Sequence, residues 1–371
     1  MTEQETIHTI ALSQLSKMSL MNAHVLYENM GSASAVFEQR SHIRDYIPDA
    51  SDLLLAALSD VDEALKRAEQ EYAYTQRKNI QCVCFNDTDY PSLLRQCPDA
   101  PLVLYYFGNA QLNRQQIVSI VGTRKCTEYG KDLIRNFVKE LSLSCPDALI
   151  VSGLAYGVDI HAHQQALQEG MDTVGVLAHG LDTIYPQRHR STAAAMSRQG
   201  GLLTEYISQT PLHKGNFVRR NRIVAGMAHA TVVIESADKG GALITAGLAS
   251  DYDREVCAFP GRIYDQYSQG TNKIIARSQA HLIRSAEDFM NIMGWEHKEK
   301  HLQAAEPSLF PQLSPDEQAI VDCLKDEDSM QINRISVLTN QPFHQVSALL
   351  FELELKGLVA VLGGARYRLL R

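Results

Sequence analysis

From residue 117 onward, short β-type apolar runs alternate with segments of helical spacing, and no other feature of the chain restricts its fold as strongly. The runs are Ile117–Val121, Ala148–Val151, Thr173–Leu177, Thr231–Glu235 and Glu255–Phe259. Each is apolar at consecutive positions rather than at alternate ones, so each needs cover on both faces, and the intervening helices supply it. The expected fold is α/β, a Rossmann-like doubly wound parallel sheet.

Ligands of such a sheet bind beyond the carboxyl ends of its strands. The residues that follow the runs are Gly122-Thr123-Arg124, Ser152-Gly153-Leu154-Ala155-Tyr156-Gly157, His179-Gly180-Leu181-Asp182, Lys239-Gly240-Gly241 and Pro260-Gly261-Arg262. Glycine at nearly every one lets backbone N–H groups come close to an anion. No ordered G-x-G-x-x-G dinucleotide fingerprint is present. Arg124 instead offers a guanidinium that can grip a phosphate with two hydrogen bonds.

Between the third and fourth runs lies Lys214-Gly215-Asn216-Phe217-Val218-Arg219-Arg220-Asn221-Arg222, four cations and no acid in nine residues. The whole chain of 371 residues is acidic, with 35 Lys+Arg against 43 Asp+Glu and a net charge of -8. Positive charge is therefore concentrated, which argues against general adhesion to DNA or anionic membranes and for a local contact. Cations around one aromatic ring suit a single-stranded polynucleotide, whose phosphates are neutralised while an unpaired base stacks. A solvated helix start beside a buried Phe is the plainer reading of the same run.

Around this core the expected domains are an N-terminal helical module (1–78), the Rossmann-like domain (79–296), a linker (297–311) and a winged-helix-like domain (312–371). In the first, Ile7, Ile10, Leu12 and Leu15 recur at helical spacing, in the manner of a SAM or helix-hairpin-helix unit. Its turn, Leu15-Ser16-Lys17-Met18, has no glycine, so the reading favours packing or partner contact over DNA. In the last domain, Ser314-Pro315-Asp316-Glu317 forms a capping-box signature. A helix from Pro342 to Lys356 and a hairpin through Gly363-Gly364 follow. Glu352 and Glu354 make that helix a poor face for phosphates, whereas Arg366, Arg368 and Arg371 on the wing could meet backbone or protein.

Other constellations resolve to structure. Asp159-Ile160-His161-Ala162-His163 lacks further ligands at metal-binding spacing, and Asp159 is expected to cap a helix. Asp182, Tyr185, Pro186 and His189 are expected to form a turn. Cys82 and Cys84 fit a strand. Seven scattered cysteines and the lack of an apolar signal core imply a cytoplasmic chain, and no apolar run is long enough to span a bilayer. Neither a metal nor a cofactor is expected. Lys239–Thr245 resembles the phosphate loop of nucleoside-monophosphate phosphoribohydrolases, the alternative function. The catalytic glutamate of those enzymes would fall at Leu248, which removes the carboxylate their oxocarbenium-like chemistry needs.

With these residues assembled, the chain resembles the DNA-processing protein A (DprA/Smf) family of bacterial recombination mediators. The resemblance runs from about residue 80 to 285, through Tyr90-Pro91, Val121-Gly122-Thr123-Arg124, Ser152-Gly153-Leu154-Ala155, Gly157-Val158-Asp159, Gly180-Leu181-Asp182 and Tyr185-Pro186. It continues through Arg220-Asn221-Arg222, Ile223-Val224-Ala225-Gly226, Thr245-Ala246 and Pro260-Gly261. It implies a non-catalytic, homodimeric single-stranded DNA-binding protein that loads a RecA-type recombinase during natural transformation. By position it implies Arg124 and Lys214 as phosphate contacts, Phe217 as the stacking ring, and Arg220, Asn221 and Arg222 as the residues that shape the pocket. Arg219, Gly122, Thr123, Ser152 and Gly153 join the expected DNA-binding set. The family's proline after the aromatic is Val218 here, which leaves the ring less fixed.

Overall fold

The structure, a computed structural model, describes residues 1–370 except 17, 60, 296–312 and 326. It divides into two compact units, residues 1–300 and 301–371. The expected linker and Arg371 lie outside the described residues, as does Lys17 of the N-terminal turn.

Six helices open the first unit: α1 (Glu3–Gln14), α2 (Leu20–Met30), α3 (Ala33–Glu38), α4 (Ile43–Tyr46), α5 (Asp52–Ala57) and α6 (Asp62–Lys78). Hydroxyls at Thr2, Ser19, Ser32 and Ser51 each accept an N–H of the helix they precede, which sets the starts of α1, α2, α3 and α5. Next come β1 (Gln81–Cys84), α7 (Ser92–Arg95) and β2 (Val103–Gly108). The helices share one apolar core with these strands, in which Ile10, Leu26 and Phe37 meet Ile80, Leu102 and Tyr105. A second tie is polar: the buried Glu71 carboxylate accepts the Ser208 N–H at 2.8 Å and pairs with Arg67 at 2.9 Å.

The parallel part follows as β3 (Ile117–Val121), α8 (Glu128–Ser144), β4 (Leu149–Ser152), α9 (Val158–Gln168), β5 (Thr173–Val176), α10 (Arg190–Met196) and β6 (Gly200–Thr204). It then continues through α11 (Lys214–Gly226), β7 (Ala230–Val233), α12 (Gly241–Asp251), β8 (Glu255–Ala258), α13 (Gln269–Ala276), β9 (His281–Leu282) and α14 (Ala286–Met293). Strand order is β1-β2-β6-β5-β4-β3-β7-β8-β9. From β6 to β9 all neighbours are parallel, while β2 runs antiparallel to β6 and β1 to β2. Side chains alternate as the fold demands. Val118, Ile120 and Ile150 face α8, α9 and α14, whereas Val121, Val151 and Val174 face α11 and α12.

The doubly wound sheet is present, with an antiparallel edge and two strands, β6 and β9, added to those expected. Gly200-Gly201 heads β6, and the strand needs both glycines. Gly200 sits at φ +125, and any Cβ on Gly201 would strike the Tyr106 ring, whose hydroxyl donates to the Gly200 and Ala110 carbonyls at 2.9 Å. The chain winds outward from β3 to β6, returns through α11, and places β7 on the other side of β3. The switch point is therefore at the carboxyl ends of β3 and β7.

The second unit contains α15 (Pro315–Lys325), β10 (Met330–Gln331), α16 (Ile332–Thr339), α17 (Phe343–Leu355), β11 (Val359–Leu362) and β12 (Arg366–Leu369). It is a winged helix built on Ile320, Ile335, Val346, Leu350 and Leu353. The capping box forms as its residues dictate: Ser314 Oγ accepts the Glu317 N–H at 3.2 Å, and Glu317 accepts the Ser314 N–H at 2.9 Å. Among the described residues no helix is long and apolar enough to cross a membrane.

Candidate nucleic-acid interface

A cleft of about 270 Å³ opens at the switch point. Its floor is the turn after β3. The Thr123 N–H donates to the Glu235 carbonyl at 2.7 Å and its own carbonyl accepts the Val158 N–H at 3.1 Å, so Gly122-Thr123 is clamped between the ends of β7 and α9. A Cβ at Gly122 would collide with Val158. Arg124 projects from this turn, exposed and without a carboxylate partner among the described residues, and its guanidinium carbon lies 5.5 Å from the centroid of the Phe217 ring. On the far wall, α12 starts at Gly241 with Gly240 as its cap and no side chain on its first N–H groups. Gly240, Gly241 and Thr245 line the cleft, so the start of α12, which has no side-chain cap, borders it.

The helix α11 sorts the cationic run onto three faces. Lys214, Phe217, Val218 and Asn221 fall at i, i+3, i+4 and i+7, on one face. Phe217, Val218 and Asn221 line the cleft, and Lys214 stands exposed one turn before them, outside the lining. Arg220 turns inward. It is 3 % exposed, donates to the Gly153 carbonyl at 2.5 Å and to the Val176 carbonyl, and burial pulls its pKa down. Asn221 Oδ1 accepts from Arg220 Nε at 3.2 Å.

Arg222 turns a third way, buried against Glu205 and 3.9 Å from Asp99, while Arg219 lies half-exposed 3.7 Å from the same Glu205. Two of the expected contacts therefore need correction. Arg222 is spent on an internal ion pair. Ser152 is fully buried, with its hydroxyl donating to the Ile120 carbonyl at 2.6 Å, so it cannot reach a ligand. Gly153 does line the cleft.

Phe217 also bounds a second, smaller hollow lined by Tyr156, His179, Tyr185 and Arg124. Tyr185 meets Phe217 edge-on, centroids 5.7 Å apart, and Arg188 lies over Tyr156 at 5.2 Å. The sequence reading assigns Tyr185 to a simple turn, places Tyr156 on the rim only as part of the segment after a strand, and gives Arg188 no part. For Tyr185 the available signals were the nearness of Tyr185-Pro186 to a strand end and its place among the motifs that carry the family resemblance.

Asp159 is a site-lining acid already engaged. It does not cap α9, whose cap is Gly157; it accepts the Gly153 and Ala155 N–H groups at 3.1 and 3.3 Å instead. Burial raises its pKa, and nearby Arg220 opposes the shift. Leu248 sits half-buried against the α11–α12 core, away from the cleft lining.

His163 is fully buried, its Nδ1 2.7 Å from Thr173 Oγ1, and burial lowers its pKa to about 3. The unfolded chain therefore binds a proton that the folded one refuses between about pH 6.5 and pH 3. Stability is complete above the unfolded value and falls as pH drops, by about 2 kcal/mol at pH 5 from this residue. Comparing urea unfolding at pH 7 and pH 5 for wild type and His163→Gln checks it: the variant should lose distinctly less on acidification.

Comparison with known proteins places these features in context. Residues 81–294 match the family model for DNA recombination-mediator protein A, and residues 303–365 match a DprA winged helix domain model. The chain is 33 % identical over 254 residues to the DNA processing protein DprA of Bacillus subtilis, covering 68 % of this chain and 83 % of that one. It is 30 % identical over 363 residues to protein Smf of Escherichia coli, covering 95 % of each. Among solved structures, DprA from Streptococcus pneumoniae aligns with a TM-score of 0.58 at 28 % identity, covering 74 % of this chain and 98 % of its own. DNA processing protein A from Helicobacter pylori, solved to explain its single-stranded DNA binding mode, aligns with a TM-score of 0.53 at 29 % identity. That match covers 59 % of this chain and 97 % of that one.

Proposed function

The chain belongs to the DNA recombination-mediator protein A (DprA/Smf) family, and from that premise we propose that its switch-point cleft binds single-stranded DNA. The carrying observation is that Arg124, delivered by β3, and Phe217, delivered by α11, meet at 5.5 Å on the open rim of the cleft. A phosphate and an unpaired base need this pair of groups side by side. Arg124, Lys214 and the start of α12 hold successive phosphates, while Phe217 stacks a base with Tyr185 supporting the ring from its edge. Gly122, Thr123 and Gly153 let the strand approach. Arg220 and Asn221 shape the pocket from behind, and Arg219 serves at its margin.

The relative from Helicobacter pylori, studied as a single-strand binder, supports this reading. In the cell the protein acts in the cytoplasm as a homodimer through its Rossmann-like unit and hands the strand to a RecA-type recombinase during DNA uptake. It works by binding rather than catalysis: Leu248 occupies the place of the hydrolase glutamate, and incubation with nucleoside monophosphates should release no base. Competition between single- and double-stranded oligonucleotides tests the proposal. Wild type should prefer the single strand, and Lys214→Glu should lose that preference. With about three phosphates neutralised, log affinity should fall against log salt with a slope near -2, from roughly -0.7 per contact. A flat salt dependence would remove the cleft from consideration.

A further inference from the structure

The pairing of a guanidinium with an aromatic ring occurs a second time on the rim of the sheet, outside the basic stretch of α11. Between Asp182 and Arg198, residues 183–197 carry Arg188 and Arg190 and no acid, in a chain whose net charge is -8. Arg188 is exposed, has no carboxylate partner among the described residues, and stands over the Tyr156 ring at 5.2 Å, as Arg124 stands over Phe217 at 5.5 Å. Neither Arg188 nor Tyr156 has a part in the first site.

The second pair is fixed in place by buried groups. His189 has its Nδ1 2.9 Å from the Leu154 carbonyl and meets the Tyr156 ring edge-on at 5.1 Å, which ties the single turn Gln187–His189 to the segment after β4. Tyr185 is anchored as well, its N–H donating to His179 Nε2 at 3.2 Å. Tyr156, Tyr185 and Phe217 line one hollow together with Arg124, so the two pairs are continuous. That hollow measures about 20 Å³, room for little more than one water. A base next to the one on Phe217 therefore lies across its mouth, between the two tyrosines, with its phosphate on the rim where Arg188 stands.

We propose that Arg188, Tyr156 and Tyr185 form a second nucleotide subsite, which takes the next residue of a single strand whose neighbouring base lies on Phe217. The subsite rests on the cleft reading and carries the strand toward the β4 and β5 side, Arg188 holding a phosphate and the tyrosines offering aromatic surface to the base. Oligothymidylates of increasing length, titrated by fluorescence anisotropy at several salt concentrations, test it in the full chain. On strands too short to reach Arg188 the slope of log affinity against log salt should stay at roughly -2, and on longer ones it should steepen by roughly 0.7, one further phosphate. Arg188→Gln should abolish the steepening and leave short-strand affinity unchanged. Tyr156→Leu should weaken long-strand binding by about fivefold or more. Arg198→Gln removes the same charge from an exposed position before the amino end of β6, on the opposite rim, and should bind as wild type does. Equal long-strand slopes for wild type and Arg188→Gln, or a loss matched by Arg198→Gln, would overturn the subsite. Phe217→Ala reports on the cleft separately: if it loses affinity while Arg188→Gln does not, the cleft stands and the subsite falls.

Discussion

Phe217→Ala should weaken binding of a single-stranded oligonucleotide by about 1–3 kcal/mol, roughly 5- to 150-fold, with the fold left standing. The ring is half-buried, so truncation opens no closed cavity, yet it removes the flat surface shared by the cleft and the smaller hollow. It also deprives the Arg124 guanidinium of the ring that holds it at 5.5 Å, and so loosens a phosphate contact along with the base contact. Phe217→Leu separates stacking from bulk: it keeps an apolar side chain and lacks a π-face, and should bind nearly as weakly as the alanine variant. Fluorescence anisotropy at fixed salt measures all three proteins. Normal affinity in both variants would return Phe217 to a purely structural role.

The largest effect on stability should come from Arg222→Leu, at about 3–5 kcal/mol. Arg222 and Glu205 are both almost completely buried, and one carboxylate oxygen of Glu205 has no hydrogen-bond partner even in the native pair. Removing the guanidinium leaves that carboxylate in an apolar setting, with only the half-exposed Arg219 at 3.7 Å to answer it. The double variant Arg222→Leu/Glu205→Leu should recover most of the loss, since it removes the stranded charge as well. The single tryptophan, Trp295, packs against Phe289 with centroids 5.2 Å apart, so its fluorescence follows the unfolding of the first unit alone. If the single and double variants proved equally unstable, the ion pair would not be the cause.

These two residues, five positions apart on one helix, mark how far the sequence could be read. The concentration of charge in 214–222 located the right helix, and the run Ile117–Val121 coincided with β3 residue for residue. Rotation by about 100° per residue could have told the faces of α11 apart. It would have set Lys214, Phe217 and Asn221 on one side and Arg219 and Arg222 on another. It could not have shown which side met the sheet, because Glu205, the partner of Arg222, follows a strand that is not among the expected runs and lies 17 positions earlier. Tyr185 escaped for a similar reason: its contact with Phe217 depends on how a loop meets the first turn of α11 above the sheet, which no local pattern encodes.

Arg220 carries a final consequence. Its guanidinium fastens α11 to the tips of both β4 and β5, through the carbonyls of Gly153 and Val176, before any strand arrives. The two walls of the mouth are therefore already in register in the free protein, and little order remains to be created on binding. Rapid mixing with an oligonucleotide should give a single phase whose rate climbs in proportion to concentration, with no plateau from a slow rearrangement.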